Sequence, residues 1–173
     1  MTLFETARLG VRRLTLADAP FIAELLTEPL WIQHIGDRGV RTVADAEGYL
    51  RSGPLASYAE HGHGLYRVAL RDTGEPVGIC GLLRREGLEA PDLGYAMLAR
   101  HHGRGYATEA ARATLAHARH HLGMDRVLAI TGLDHAVSQR VLTHVGMRRA
   151  GTVDGDPPLA LFETAWGDPR SGA

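Results

Sequence analysis

The chain contains no lysine and no asparagine, and all nineteen of its basic residues are arginine. Without lysine it has neither a Schiff-base nucleophile nor a Gly-x4-Gly-Lys-Ser/Thr nucleotide loop, which excludes two large classes of chemistry. Cysteine is almost as scarce. The single one, Cys80, has no internal disulfide partner and lies in the apolar run Val77-Gly-Ile-Cys-Gly-Leu-Leu, where a small buried residue is expected rather than a nucleophile. No stretch reaches the roughly 18 apolar residues of a membrane-spanning helix. The opening Met-Thr-Leu-Phe-Glu-Thr-Ala-Arg has no secretory pattern. A soluble, cytoplasmic protein with no membrane partner is expected. Nor does one sign of charge dominate: nineteen basic against twenty acidic residues leave −1, with no general drive toward nucleic acid.

What is present is the mixture of a folded domain. Over 173 residues, 45% are hydrophobic and 23% charged, enough for one core without metal or disulfide staples. A single domain over residues 1–173 is expected, with its structured core at about 6–167.

The periodicity gives the elements. Leu9, Val11 and Leu14 alternate as a first strand. Thr15-Leu-Ala-Asp18 is a capping box opening a helix through Phe21, Ile22, Leu25 and Leu26, which Glu28-Pro29 should end. Residues 31–40 read as loop. Thr42-Val-Ala-Asp45 opens a second helix to about Ala59, and His61-Gly-His-Gly64 is a turn. Strands are expected at Leu65–Arg71, Pro76–Leu83 and Leu93–Leu98, the first two joined by the hairpin Asp72-Thr-Gly-Glu75. A helix from Ala107 to Leu122 follows, then a strand Val127–Thr131, a short helix Ser138–Val145, and strands Met147–Val153 and Leu159–Trp166. This order implies an α/β (α+β mixed) fold with helices on both faces of a mixed sheet.

The most informative segment is Leu93-Gly-Tyr-Ala-Met-Leu-Ala-Arg-His-His-Gly-Arg-Gly-Tyr-Ala-Thr-Glu-Ala, a strand, a glycine-rich loop and a helix start. Such a loop aims backbone N–H groups at one point, and the helix N-terminus adds about half a positive charge. Gly103 and Gly105 permit close approach of a bulky anion, and Thr108 offers a hydroxyl in the first turn. Pyrophosphate binding suits that pattern. A dinucleotide fold is disfavoured, because its loop follows the first strand.

The run Gly-Arg-Gly-Tyr-Ala-Thr-Glu-Ala resembles the acetyl-CoA pyrophosphate loop of the GNAT acetyltransferases, closest to the branch holding the ribosomal-protein N-terminal acetyltransferases. Thr6-Ala-Arg-Leu-Gly-Val-Arg-Arg-Leu, Pro76-Val-Gly-Ile-Cys-Gly-Leu and Ser138-Gln-Arg-Val-Leu-Thr-His-Val-Gly-Met are similar to that branch's first strand, hairpin and late helix, so the resemblance spans almost the whole chain in order. It implies a GNAT fold with a twisted, mostly antiparallel sheet of about six to seven strands. It also implies an N-acetyltransferase that uses acetyl-CoA as cosubstrate, needs no metal, and acts as monomer or homodimer on an amine acceptor.

Carried onto this sequence, the family pattern assigns cofactor contacts to Met97, Leu98, His102, Gly103, Arg104, Gly105, Tyr106, Ala107, Thr108, His135 and Ser138. His102 stands where the family has Arg or Gln; Arg100 fits that pattern literally, but the register through Gly105 and Ala107 keeps Ala-Thr-Glu-Ala in place. His135 stands where the family usually has Asn. Carbonyl polarisation falls to a backbone N–H in Ala96, Met97 and Leu98.

Amide formation from a thioester needs a neutral amine, a polarised carbonyl and a stabilised thiolate. Many family members stabilise the thiolate with a late-helix Tyr; here Val141, Leu142 and Thr143 occupy the nearby positions, and Ser138 is the remaining hydroxyl. A serine there also suits a helix N-cap. Candidate bases are Asp92, Glu163 and His34, with ordered water as a further route. Trp31 and His34 lie in the region that lines the family's acceptor site, and Tyr49 and Tyr58 fit either that site or the helical core. His117, His120 and His121 share one helix but read as a solvated face rather than a metal site. The acceptor stays open between a peptide N-terminus and a small-molecule amine. So does a non-catalytic acyl-CoA-binding module.

Overall fold

The computed structural model describes residues 1–167. Its strands are β1 (Thr2–Glu5), β2 (Leu9–Arg13), β3 (Leu65–Leu70), β4 (Pro76–Leu83), β5 (Asp92–Met97), β6 (Leu128–Gly132), β7 (Met147–Val153) and β8 (Leu159–Thr164). Its helices are α1 (Ala19–Leu26), α2 (Pro29–His34), α3 (Val43–Leu50), α4 (Ala56–His61), α5 (Tyr106–His120) and α6 (Ala136–His144). The eight strands form one sheet in the order β1-β2-β3-β4-β5-β6-β8-β7. Every neighbouring pair is antiparallel except β5 and β6. The expected six to seven strands become eight because Thr2–Glu5 pairs with β2.

Two apolar clusters sandwich the sheet. Tyr66, Cys80, Leu82 and Leu93 pack with Tyr106, Ala110, Ala111, Leu115 and Leu142 of α5 and α6. Leu65, Ile79 and Leu98 pack with Ile22, Leu25, Leu26, Trp31, Ala46 and Leu50 of α1, α2 and α3. Alanine dominates α5, which needs little propensity help, and its small side chains let the helix lie close on the strands. Cys80 is buried, its Sγ lies 3.3 Å from Thr114 Oγ1, and burial pushes its thiol up to about 12, which suits packing and not nucleophilic attack.

Two helix expectations are corrected. The first helix ends before Glu28-Pro29 as expected, but Pro29 occupies the first turn of α2, where its missing N–H costs nothing, so residues 31–34 of the segment expected as loop are helical. The second helix is not continuous to residue 59. Residues Arg51–Leu55 widen into a π-helical turn around Pro54, which has no N–H to give to the ladder.

The Thr15–Asp18 capping box is present, and Asp18 does more than cap. It is 6% exposed and accepts two hydrogen bonds from Arg12, at 2.8 Å each, and one from the Thr15 amide at 2.8 Å. Burial opposes its charge, but these bonds prevail and hold the carboxyl below its ordinary 3.8. Asp18→Ala leaves Arg12 without its partner and uncaps the turn, so stability should fall by about 3 kcal/mol. Because the folded-state value is depressed, the stabilisation is present above the unfolded pKa and is lost as pH falls through the folded one. Urea unfolding of both forms at neutral pH and near pH 3 tests this: equal midpoints at neutral pH would deny the pair any role.

Candidate active site

Most strand neighbours pair along their length, but β5 meets β6 only at Asp92 and Leu128. Beyond that point the two strands splay. The N–H of Leu98 donates to Val77 O at 2.8 Å, which fixes the phase of the β4–β5 ladder. Alternate residues on an antiparallel strand bond to alternate sides, so Ala96 turns its amide toward β4 while Tyr95 and Met97 turn theirs into the splay. Of the three residues expected to polarise a carbonyl, only Met97 therefore presents a free amide. Leu98 gives its N–H to Val77 O, and its side chain is fully buried.

The end of β5 runs into the glycine loop. His102 lies exposed at its start, and its Nε2 donates to Met97 O at 2.8 Å, folding the ring back onto the strand. Gly103 and Gly105 adopt φ of +76° and +80°, the left-handed region that β-carbons disfavour. Gly105 is the N-cap of α5, so the amides of Tyr106, Ala107 and Thr108 have no partner within the helix. Nothing lies within 4 Å of a β-carbon placed on Gly103. This cradle of amides at a helix N-terminus fits a phosphate group. The Tyr106 ring itself is buried and offers only its backbone to the loop.

A clamp behind the loop went unassigned in the sequence. Arg8 donates Nη1 to Arg104 O at 2.9 Å and lies 4.6 Å from the Tyr106 ring centroid. It also bonds Glu109 through Nε at 2.7 Å and its backbone amide at 2.9 Å, and Thr6 Oγ1 adds a bond at 2.6 Å. Burial works against the Glu109 charge, yet the Thr6 and Arg8 bonds keep its carboxyl below the ordinary value. The β1–β2 turn thus fixes the first turn of α5 and holds a guanidinium against the phosphate cradle. Both segments were legible as motifs; their contact across the fold was not.

Across the splay, Ser138 sits on the third residue of α6, and the helix N-cap is His135 rather than Ser138. The Ser138 hydroxyl lies 2.9 Å from the Tyr95 hydroxyl, which also lies 3.1 Å from Ser138 O. Tyr95 stands three residues beyond Asp92 on the strand, which puts it on the opposite face. The His135 ring stacks on His34 with centroids 3.8 Å apart, joining the end of α2 to the start of α6. Burial, with the neighbouring His34, lowers the His135 pKa.

The candidate bases differ in setting. Asp92 is 1% exposed; Oδ2 accepts from Arg85 Nε at 2.9 Å, and Oδ1 is buried with no hydrogen-bond partner among the described residues. Burial raises its pKa against the pull of Arg85. Glu163, aligned with Leu128 in the neighbouring ladder, is bound by Arg126 at 2.9 Å and Arg148 at 3.1 Å, and the Arg126 hydrogen bond leads in lowering its pKa. His34 is exposed and engaged by His135. The Trp31 indole is 6% exposed and packs within the α1–α3 core, with its Nε1 buried and without a hydrogen-bond partner among the described residues. Tyr58 is likewise core, with its hydroxyl bonded to the Leu14 amide at 3.0 Å and to Leu65 O. Among the described residues, no helix is long and apolar enough to cross a membrane.

The family model described as "Acetyltransferase (GNAT) domain" matches residues 8–148. The uncharacterised protein YkkB of Bacillus subtilis is 32% identical over 109 residues, which are 60% of this chain and 63% of that protein. The uncharacterised N-acetyltransferase YnaD of the same organism is 27% identical over 84% of this chain and 82% of its own length. Among solved structures, the ribosomal L7/L12 alpha-N-protein acetyltransferase RimL in complex with coenzyme A superposes with a TM-score of 0.82 over 94% of this chain and 97% of that one. At 13% identity, that likeness concerns the fold alone.

Proposed function

The chain belongs to the acetyltransferase (GNAT) domain family, and from that premise we propose that it moves an acetyl group from acetyl-CoA to a primary amine by direct attack. The observation that carries the reading is the juxtaposition of the glycine cradle with the splayed strand whose Tyr95 and Met97 amides are free. Gly103, Gly105 and the amides of residues 106–108 would hold the pyrophosphate, with Arg8 and the helix dipole countering its charge. The free edge of β5 would pair with the extended pantetheine arm, a strand added to a sheet by a ligand. The Met97 amide would polarise the carbonyl.

Acetyl-CoA supplies an activated thioester, whose carbonyl carbon bonds to the amine nitrogen while the C–S bond breaks and its electron pair stays on sulfur. Asp92 takes the proton that the amine must lose. Ser138 donates its hydroxyl hydrogen toward the sulfur. The strand separates the two tasks: Asp92 lies on the α1–α3 face with Ala96, and Tyr95, next to Ser138, lies on the α5–α6 face. A general acid is typically worth about 10² to 10⁴ in rate. Ser138→Ala should therefore lower turnover within about that range and leave CoA affinity unchanged.

The acceptor is a primary amine on a peptide or protein N-terminus or on a small molecule. Thiol release with a panel of N-terminal peptides, polyamines and amino sugars, followed by product mass, tests the reading. CoA binding without an acetylated product from any amine would make the protein a binding module.

A further inference from the structure

We propose that Tyr95 is a positioning residue that aims the Ser138 hydroxyl at the sulfur of the bound thioester. The inference rests on the acetyl-transfer reading above. It starts from an absence on α6: Val141, Leu142 and Thr143 supply no phenol to this end of the cleft. A phenol arrives instead from β5. Tyr95 stands where the strand has left its partner β6, and its side chain reaches the first turn of α6.

Two contacts define what it does there. The Tyr95 hydroxyl lies 2.9 Å from Ser138 Oγ and 3.1 Å from Ser138 O. A serine hydroxyl carries one proton and turns freely about its C–O bond. The phenol has one proton and two acceptors here: Ser138 O, which can only accept, and Oγ, which is the nearer at 2.9 Å. In the arrangement proposed that proton goes to Oγ, fills one lone pair of the serine, and leaves the serine proton pointing away from the phenol. That proton is then presented to a group on the open side. A hydroxyl that accepts a bond becomes a better donor, so the pair strengthens as charge grows on sulfur. Burial pushes the Tyr95 hydroxyl up to about 12, so the phenol keeps its proton throughout the neutral range. Tyr95 does not touch the sulfur in this scheme; it acts through Ser138. Its ring packs against the α5–α6 cluster, and phenylalanine preserves that packing while deleting the bond.

The experiment reads the thiol of bound CoA and needs no acceptor. Ultraviolet thiolate absorbance is titrated in complexes of wild type, Tyr95→Phe, Ser138→Ala and the double variant, each against its desulfo-CoA complex. Calorimetry of CoA binding accompanies each. In wild type the oriented donor should depress the thiol pKa below that in Tyr95→Phe by about one unit, a tenfold change in thiolate stability. Ser138→Ala should show the same rise and the double variant no further one, with CoA affinity at neutral pH, where the thiol is protonated, changed less than about threefold. Ser138→Thr, which keeps a hydroxyl, should restore part of the shift. If Tyr95→Phe binds CoA and its thiol titrates as in wild type, Tyr95 is packing and the proposal is overturned. If Tyr95→Phe shifts the thiol and Ser138→Ala does not, the phenol acts directly, and positioning through Ser138 is overturned. Failure of wild type to bind CoA overturns the acetyl-transfer reading itself, and the proposal with it.

Discussion

Gly105→Val is expected to reduce CoA affinity by roughly 100-fold or more, equal to about 3 kcal/mol. The reason is geometric before it is steric. Gly105 holds φ of +80°, where an L side chain costs about 1–2 kcal/mol, and a β-branched one is least able to adopt it. The nearest atom to a β-carbon there is Arg8 Nη2, at 3.4 Å, so the added side chain also presses on the clamp behind the loop. The N-cap would leave the left-handed region, and the amides of Tyr106, Ala107 and Thr108 would swing away from their common point. Each charge-assisted bond lost is worth about 1.5–3 kcal/mol, so two suffice for the expected effect. Gly87→Val is the control. Gly87 has φ of +88° with nothing within 4 Å of its β-carbon, so it carries similar backbone strain away from the loop. Calorimetry should show Gly87→Val binding CoA as wild type does. Equal affinities for Gly105→Val and wild type would remove this loop from the cofactor site.

Most of this architecture was legible because it is written in local chemistry. Capping boxes at Thr15 and Thr42, the hairpin at residues 72–75 and the alanine-rich run after Gly105 each depend on neighbours in sequence. The glycine loop was legible for the same reason, since strand, loop and helix follow one another. What stayed hidden depends on contacts distant in the chain. Arg8 and Glu109 are 101 positions apart, and neither looks like a cofactor residue until β2 and α5 are packed together. Tyr95 and Ser138 are 43 positions apart, and their bond exists only because β5 and β6 diverge. Which of the Ala96, Met97 and Leu98 amides is free stayed hidden too, because ladder phase decides it and phase is set by β4. The burial of Trp31 stayed hidden because it follows from the helix that Pro29 starts. The settings of the two carboxylate candidates were not legible, because their pairing with Arg85, Arg126 and Arg148 is a product of the sheet.

That pairing now separates Asp92 from Glu163. A general base works best when its pKa lies near the operating pH, since a carboxylate held far below it accepts protons poorly. Glu163 is bound by two arginines that lower its pKa, so it stays ionised and has little tendency to take a proton. Asp92 is buried, its pKa is raised from the ordinary 3.8, and Oδ1 has no donor among the described residues, so one oxygen is left to receive a proton. With Asp92 as base, kcat/KM should rise with pH through an enzyme-borne pKa above 3.8, because only the ionised carboxylate is competent. Asp92→Asn keeps the shape and the Arg85 contact surface but cannot take the proton. It should lower kcat/KM by about 10² or more and abolish that limb, leaving only the ionisation of the acceptor amine. Glu163→Gln should retain the limb at the wild-type position. The comparison is a pH–rate profile of the three proteins with one acceptor, each checked by circular dichroism for native structure. If the Asp92→Asn profile matches wild type in shape and height, Asp92 is not the base. If Glu163→Gln alone loses the limb, the arginine pairs do not suppress its basicity, and the two carboxylates exchange roles.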